Sequence, residues 1–320
     1  MSPHQITVLG ECVADAFAEP ASAANELALR VLPGGGPANT AVALARLGTP
    51  ARFLARLSGD VFGRLFRSHL EASGVDLSYA VTADEPSTLA VADLDADGQA
   101  TFSFHSQDTA DWQWTPEELA RVDLSETACL HTGSLALVRE PGGTVVEGFL
   151  AAAAPQATIS IDPNVRPLLV HPDVYRGRLT HWCGLADILR LSGDDLELLL
   201  PGTPLDRACD TWHAAGVRLV VITLGAEGAL ASLDGERLRI PAVPTQVADT
   251  VAAGDSFTAG LLHHLDARGH LGGRLARLDL ADVAEACRFG AQVSALTCSV
   301  TGPNPPWRNQ LAEPATAGRP

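Results

Sequence analysis

Four short apolar runs limit how this chain can fold. They are Cys129-Leu130-His131, Thr158-Ile159-Ser160-Ile161, Ile188-Leu189-Arg190-Leu191 and Leu219-Val220-Val221-Ile222-Thr223, and stretches of helical character separate them. Repeated βα units at this spacing argue for an α/β fold built on a doubly wound, mostly parallel sheet flanked by helices. Ile6-Thr7-Val8-Leu9-Gly10 suits the first buried strand of such a sheet.

Other segments fit around that frame. Pro33-Gly34-Gly35-Gly36-Pro37 reads as a loop, Ala38 to Leu47 as a helix stopped by Gly48, Arg52 to Leu57 as a strand and Phe62 to Ser73 as a helix. Between Ser87 and His105 the pattern changes to two strands, Thr88 to Leu94 and Ala100 to Phe104, joined by an Asp97-Gly98 hairpin turn. That hairpin breaks the β/α rhythm and can form a small separate sheet. A β-rich piece spans Ala229 to Val243, helices span Gly254 to Ala267 and Asp282 to Leu296, and the tail beyond Gly302 reads as irregular.

Composition excludes several function classes. All 22 basic residues of the 320 are Arg, and Lys is absent. The P-loop NTPases, the protein kinases and Schiff-base mechanisms each need a Lys and are ruled out. A net charge of −16 disfavours nucleic acid and anionic membranes as partners. The six Cys have no C-x-x-C spacing, no His cluster has metal-ligand spacing, and no run suggests a signal peptide or a bilayer span. These features predict free thiols in a reducing cytoplasm.

The segment Asp249-Thr250-Val251-Ala252-Ala253-Gly254-Asp255-Ser256-Phe257 is a small-residue turn opening a helix, with an Asp in the first turn. A helix start offers free N–H groups and the positive end of the dipole, where phosphate is stabilised. Asp255 beside them can take a proton from an attacking hydroxyl; plain capping by Asp249 or Asp255 is the competing reading. Four further segments stand out: Gly34-Gly35-Gly36-Pro37-Ala38-Asn39-Thr40-Ala41, Ser160-Ile161-Asp162-Pro163-Asn164-Val165-Arg166, Arg190-Leu191-Ser192-Gly193-Asp194-Asp195 and Thr223-Leu224-Gly225-Ala226-Glu227-Gly228. In the third, Ser192 also reads as an ordinary helix N-cap.

Taken in order, these segments resemble the ribokinase-like (PfkB) carbohydrate kinases, and fructokinase-like members in particular, over about residues 6 to 305. The resemblance implies the ribokinase fold as one domain over 1–320, with a small β lid formed by about 12–32 and 87–105. It implies ATP-dependent phosphorylation of a small sugar, with fructose or another ketose ahead of ribose, 2-keto-3-deoxygluconate or a nucleoside. By the same match Asp255 is the base, and the N–H groups of Ala252, Ala253 and Gly254 form an anion hole. Asp15, Gly35 and Asn39 contact the sugar, and Arg166 neutralises transferring charge. Asp249, Thr250, Thr223, Gly225, Asn164 and Ser192 serve the nucleotide side. Asp162 and Asp195 serve a metal, Asp195 through water because it replaces a longer Glu. Asn304 falls where the family closes over the adenine or a cation. ATP and Mg2+ are the implied cofactors, K+ is a further candidate, and a homodimer through the lid is the implied assembly.

The family's first loop Gly is Ala252 here. A positive φ at that position would cost Ala roughly 1 kcal/mol, whereas helical geometry would make it harmless. Its small size and retained N–H favour the helical reading. Ala252 and Asp195 together also keep open a catalytically weak sugar-binding or regulatory protein. A nucleotide-dependent dehydrogenase is disfavoured, because no G-x-G-x-x-G follows the first strand.

Overall fold

The computed structural model describes residues 5–19, 23, 25–94 and 100–311. The chain runs through β1 (Gln5–Leu9), β2 (Val13–Glu19) and β3 (Ala28–Gly34) into α1 (Gly36–Leu47). Then come β4 (Ala51–Leu54), β5 (Arg56–Ser58), α2 (Val61–Ala72), β6 (Val81–Ala83), β7 (Leu89–Leu94) and β8 (Ala100–His105). After the short α3 (Pro116–Leu119) the β/α rhythm is regular. It passes through β9 (Thr127–Gly133), α4 (Gly142–Ala153), β10 (Thr158–Asp162), α5 (Pro172–Leu185), β11 (Ile188–Ser192), α6 (Gly193–Leu199), α7 (Leu205–Ala215) and β12 (Leu219–Thr223). The hairpin β13 (Ala229–Leu233) and β14 (Glu236–Ile240) follows, then α8 (Ala253–Ala267) and α9 (Leu280–Cys298).

The main sheet has the order β14-β13-β12-β11-β10-β9-β1-β4. From β12 to β4 every pairing is parallel, and the β13–β14 hairpin adds two antiparallel strands at one edge. Successive side chains of a strand point to opposite faces, so each buried strand feeds two cores. Leu219 and Val221 pack in the core shared with α1, α8 and α9, while Val220 and Ile222 pack in the one shared with α4, α5 and α7. This is the ribokinase-like arrangement expected above. Gly48, at φ 92, ends α1 with its N–H returned to the last turn.

The expected strand over 52–57 is in fact two. β4 ends at Leu54, and after Ala55 the chain turns into β5, which pairs with β6 in a separate two-stranded sheet. The turn buries the Arg56 guanidinium, which bonds the Ala110 carbonyl at 3.1 Å and Glu85 at 2.9 Å and also pairs with Glu118. A buried cation with three acceptors stabilises the bend.

A third sheet, β3-β2-β7-β8, stands apart from the main one. Asp15 lies opposite Ala90, and Ala90 opposite Phe104, so these three share a face. The expected turn at Asp97-Gly98 lies outside the described residues, as does the tail from 312.

Asn304 is held by α1. Arg46, at the far end of α1, donates to Asn304 Oδ1 at 2.7 Å and to the Pro305 carbonyl at 2.8 Å, and stacks over Trp307. The strap continues to the segment before α8. Ala248 donates to the Cys298 carbonyl at 2.8 Å, and Asp249 Oδ2 accepts from Gly302 N–H at 2.9 Å.

Candidate active site

The strand order reverses between β1 and β9. In open α/β sheets a crevice forms at such a point, beyond the carboxyl ends of the strands. A cleft of about 740 Å³ lies there. Its walls come from the ends of β1, β9, β10, β11 and β12, from the starts of α1 and α8, and from one face of the third sheet. Asp15, Gly35, Asn39, Asn164, Arg166, Ser192, Asp195, Thr223, Gly225, Thr250 and Ala252 to Asp255 all line it. Of the expected site residues, Asp162 and Asp249 stand just behind its wall.

Asp255 sits in the first turn of α8, and its Oδ2 accepts from Asn39 Nδ2 at 2.9 Å. A Cβ added at Gly36 would lie 2.7 Å from Asn164 Nδ2 and 3.2 Å from Asp255 Oδ1. The glycine loop, Asn164 and the Asp255 carboxylate therefore converge on one point. Burial pushes the Asp255 carboxyl upward, against the pull of Asn39, Arg166 and Arg190. A base with a raised pKa holds an abstracted proton better.

Ala252 is the N-cap of α8 at φ 62, ψ 11. This overturns the helical reading of that position: the Ala adopts the left-handed geometry that favours glycine. The turn also consumes one of the three expected anion-hole donors, since Ala253 N–H bonds the Thr250 carbonyl at 3.2 Å. The N–H groups of Ala252, Gly254 and Asp255 find no acceptor among the described residues. Ala252→Gly is expected to raise stability by about 1 kcal/mol, read as an increased Tm, because Gly relieves the left-handed strain.

Arg190 was not anticipated. It projects from β11, 5% exposed, and donates to Asp162 Oδ2 and to Thr223 Oγ1, each at 2.7 Å. A Cβ at Gly254 would lie 2.7 Å from its Nη1, so the guanidinium sits directly against the anion hole. The signal was present in the sequence: a charge inside an otherwise apolar parallel strand requires buried partners. His131 Nδ1 lies 3.0 Å from Ser160 Oγ, and burial next to Arg190 pushes the ring down to about 3. It is a neutral structural side chain.

Asp162 and Asp195 are each held by neighbouring groups. Asp162 is ion-paired to Arg190, and its other oxygen accepts from Asn164 N–H at 3.1 Å. Asp195 closes a capping box with Ser192 and accepts from Val165 N–H at 2.8 Å. Among the described residues no group of three His, Cys, Asp or Glu is arranged to hold a metal ion. Ser192 and Asp195 thus form the capping box that opens α6.

The opposite end of the cleft is acidic. Burial raises Asp15 to about 6 despite the nearby Arg166 charge. Arg166 itself is exposed, with its charge felt by Glu11, Asp15 and Asp255. The cation against the turn that opens α8 is thus Arg190, while the charge of Arg166 acts on the carboxylates. Near Asp15, Glu11 is raised to about 7 and Asp111 to about 6, and beside Arg190 Asp162 is raised to about 6, all chiefly by burial. Acids raised in the fold hold more protons there than when unfolded. Their effect on stability is therefore most favourable below about pH 4 and is lost as pH rises to about 7. Tm is expected to fall between pH 5 and 7.5, and thermal melts across that range check it.

A second cleft of about 500 Å³ adjoins the first across Arg190, Thr223, Gly225 and Thr250. Ala226, Val243, Val247, Ala291 and Ala295 give it an apolar wall. The turn that opens α8 thus lies between a cleft with an apolar wall and a pocket lined by hydrogen-bonding groups, a layout that suits a phosphotransferase taking a nucleotide and an alcohol.

Comparison with known proteins gives the same class. The sequence model described as pfkB family carbohydrate kinase matches residues 3–310. The chain is 35% identical to a fructokinase of Klebsiella pneumoniae over 269 residues, covering 83% of this chain and 85% of that protein. Among solved structures, an ATP-bound fructokinase from Xylella fastidiosa superposes with a TM-score of 0.84 at 27% identity, covering 93% of each chain. The Vibrio cholerae fructokinase with fructose, ADP and calcium bound gives 0.79 at 25% identity, covering 95% of each. The chain belongs to the pfkB family of carbohydrate kinases. It is a sugar kinase, an enzyme of ATP-dependent sugar phosphorylation.

Proposed function

We propose that this kinase transfers the γ-phosphoryl group of ATP to a primary hydroxyl of fructose or another ketose. The observation that carries the proposal is the Asp255 carboxylate, held by Asn39 at 2.9 Å beside the unsatisfied N–H groups that open α8. The fructokinase relatives at 30–35% identity support a ketose as acceptor.

Asp255 takes the proton of the sugar hydroxyl as that oxygen bonds to the γ-phosphorus. The bond from the phosphorus to the β,γ-bridging oxygen breaks, and ADP leaves. The N–H groups of Ala252, Gly254 and Asp255, with the Arg190 guanidinium, hold the charge of the transferring group. Asp15, Gly35 and Asn39 orient the sugar, and Arg166 keeps the acidic end from repelling the approaching phosphates. Thr223, Gly225, Asp249 and Thr250 bound the nucleotide, with Asn164 and Ser192 beside its phosphates. Magnesium enters with the triphosphate as part of the nucleotide substrate.

We take residues 1–320 as one kinase domain in which the third sheet acts as a lid, excluding water that would otherwise hydrolyse ATP. Exposed Leu29 and Phe102 on that sheet favour a homodimer through it. Six unpaired cysteines suit a reducing cytoplasm.

The test is ADP release across a panel of ketoses, aldoses, 2-keto-3-deoxygluconate and nucleosides, with magnesium, with and without potassium. Turnover confined to ketoses supports the reading; turnover confined to another class overturns the choice of acceptor. A panel in which sugars raise Tm but none is phosphorylated would point to a binding protein.

A further inference from the structure

Glu11 stands at the sugar end of the cleft without a part in the phosphoryl transfer. It follows β1, is 2% exposed, and still lines the cleft. Its Oε2 has no hydrogen-bond partner among the described residues. The Ser134 hydroxyl interacts with the same carboxyl. The backbone around it is fixed: Cys12 N–H donates to Asp111 Oδ1 at 2.9 Å. On its other side, a Cβ at Gly35 would lie 2.6 Å from the Glu11 carbonyl oxygen. The main chain that carries Glu11 is therefore packed closely against the glycine loop.

We propose that Glu11 hydrogen-bonds a hydroxyl of the bound sugar through Oε2 and is a specificity-determining residue of this kinase. The proposal rests on the ketose reading of the cleft. An unpaired polar atom so deeply buried is destabilising, and native proteins rarely retain one without a partner. Here the partner is a ligand group that arrives with the substrate. A polyol fits, because each hydroxyl both donates and accepts. The raised carboxyl, near 7, adds to the match: around neutral pH the acid form can donate and the carboxylate can accept. Asp255 and Asn39 reach the sugar at the reacting end, so a contact at Glu11 fixes a second point and thereby its orientation.

Deoxy-sugar kinetics test this. Steady-state rates are measured for fructose and each of its monodeoxy forms on the parent enzyme, Glu11→Met and Glu11→Gln. Met keeps the length and burial without a hydrogen-bonding group. Glu11→Met is expected to raise KM for fructose about 10- to 100-fold with kcat within a few-fold, and Gln is expected to recover much of the loss. One deoxy form should be a similarly poor substrate for the parent yet no poorer for the Met variant, since the contact is already gone. Equal losses for every deoxy form in parent and variants, or a fall in kcat alone, would overturn the proposal. If Met prevents folding, Gln must still change the fructose-to-deoxy ratio at one position only. If the parent phosphorylates no ketose, the ketose reading itself fails, and the same comparison is made with the sugar it does accept.

Discussion

Asp255→Asn is expected to lower kcat by about 10²- to 10⁴-fold while KM for the sugar stays within a few-fold. The carboxamide keeps an oxygen for Asn39 to donate to, so the 2.9 Å contact and the glycine loop survive. What is lost is the capacity to hold the proton of the attacking hydroxyl. Folding should not suffer, because burial already disfavours the charged form of this side chain. ADP-release kinetics beside a thermal melt check both parts. A variant that retains more than a tenth of parental kcat would remove Asp255 from the role of base.

Arg190→Met is expected to damage both stability and chemistry. It strips Asp162 of its ion-pair partner in a site where both side chains are under a tenth exposed. Removing one member of a buried pair commonly costs about 3–5 kcal/mol. The lower end applies, because Asp162 is already raised to about 6 and can protonate instead. The deficit should therefore shrink as pH is lowered from 7.5 to 5. The double variant with Asp162→Asn should recover most of the lost Tm. It should not recover turnover, since the cation against Gly254 is still missing. Recovery of both would make Arg190 purely structural.

The main sheet was legible because its strands are short, apolar and regularly spaced, and Leu219–Thr223 has the same bounds in sequence and structure. Asp255, Asn39 and the glycine loop were legible from their motif spacing. Arg190 was not, because its importance comes from three strands, β10, β11 and β12, bringing Asp162 and Thr223 to either side of it. Ala252 was misread for another reason. Residue type limits φ without fixing it, and the left-handed turn is imposed by the junction between the 248–251 segment and α8. The hydrogen bonds of Asp162 and Asp195 were also hidden, because a carboxylate at a strand end looks the same in sequence whether or not neighbouring N–H groups bond it. The break at Ala55 depends on Glu85 and Glu118, far along the chain from Arg56.

The C-terminal strap has a consequence for the order in which the molecule is completed. The segment before α8 is fastened by Cys298 and Gly302, and the strap is in turn anchored to Arg46 through Asn304 and Pro305. A chain emerging from the ribosome can therefore lay down every parallel strand, and can bury Asp162 against Arg190, before the phosphate-binding turn has its fastening. The turn that opens α8 is fastened only once α9 and the strap have packed, so it gains its final order after the parallel strands and the buried Asp162–Arg190 pair.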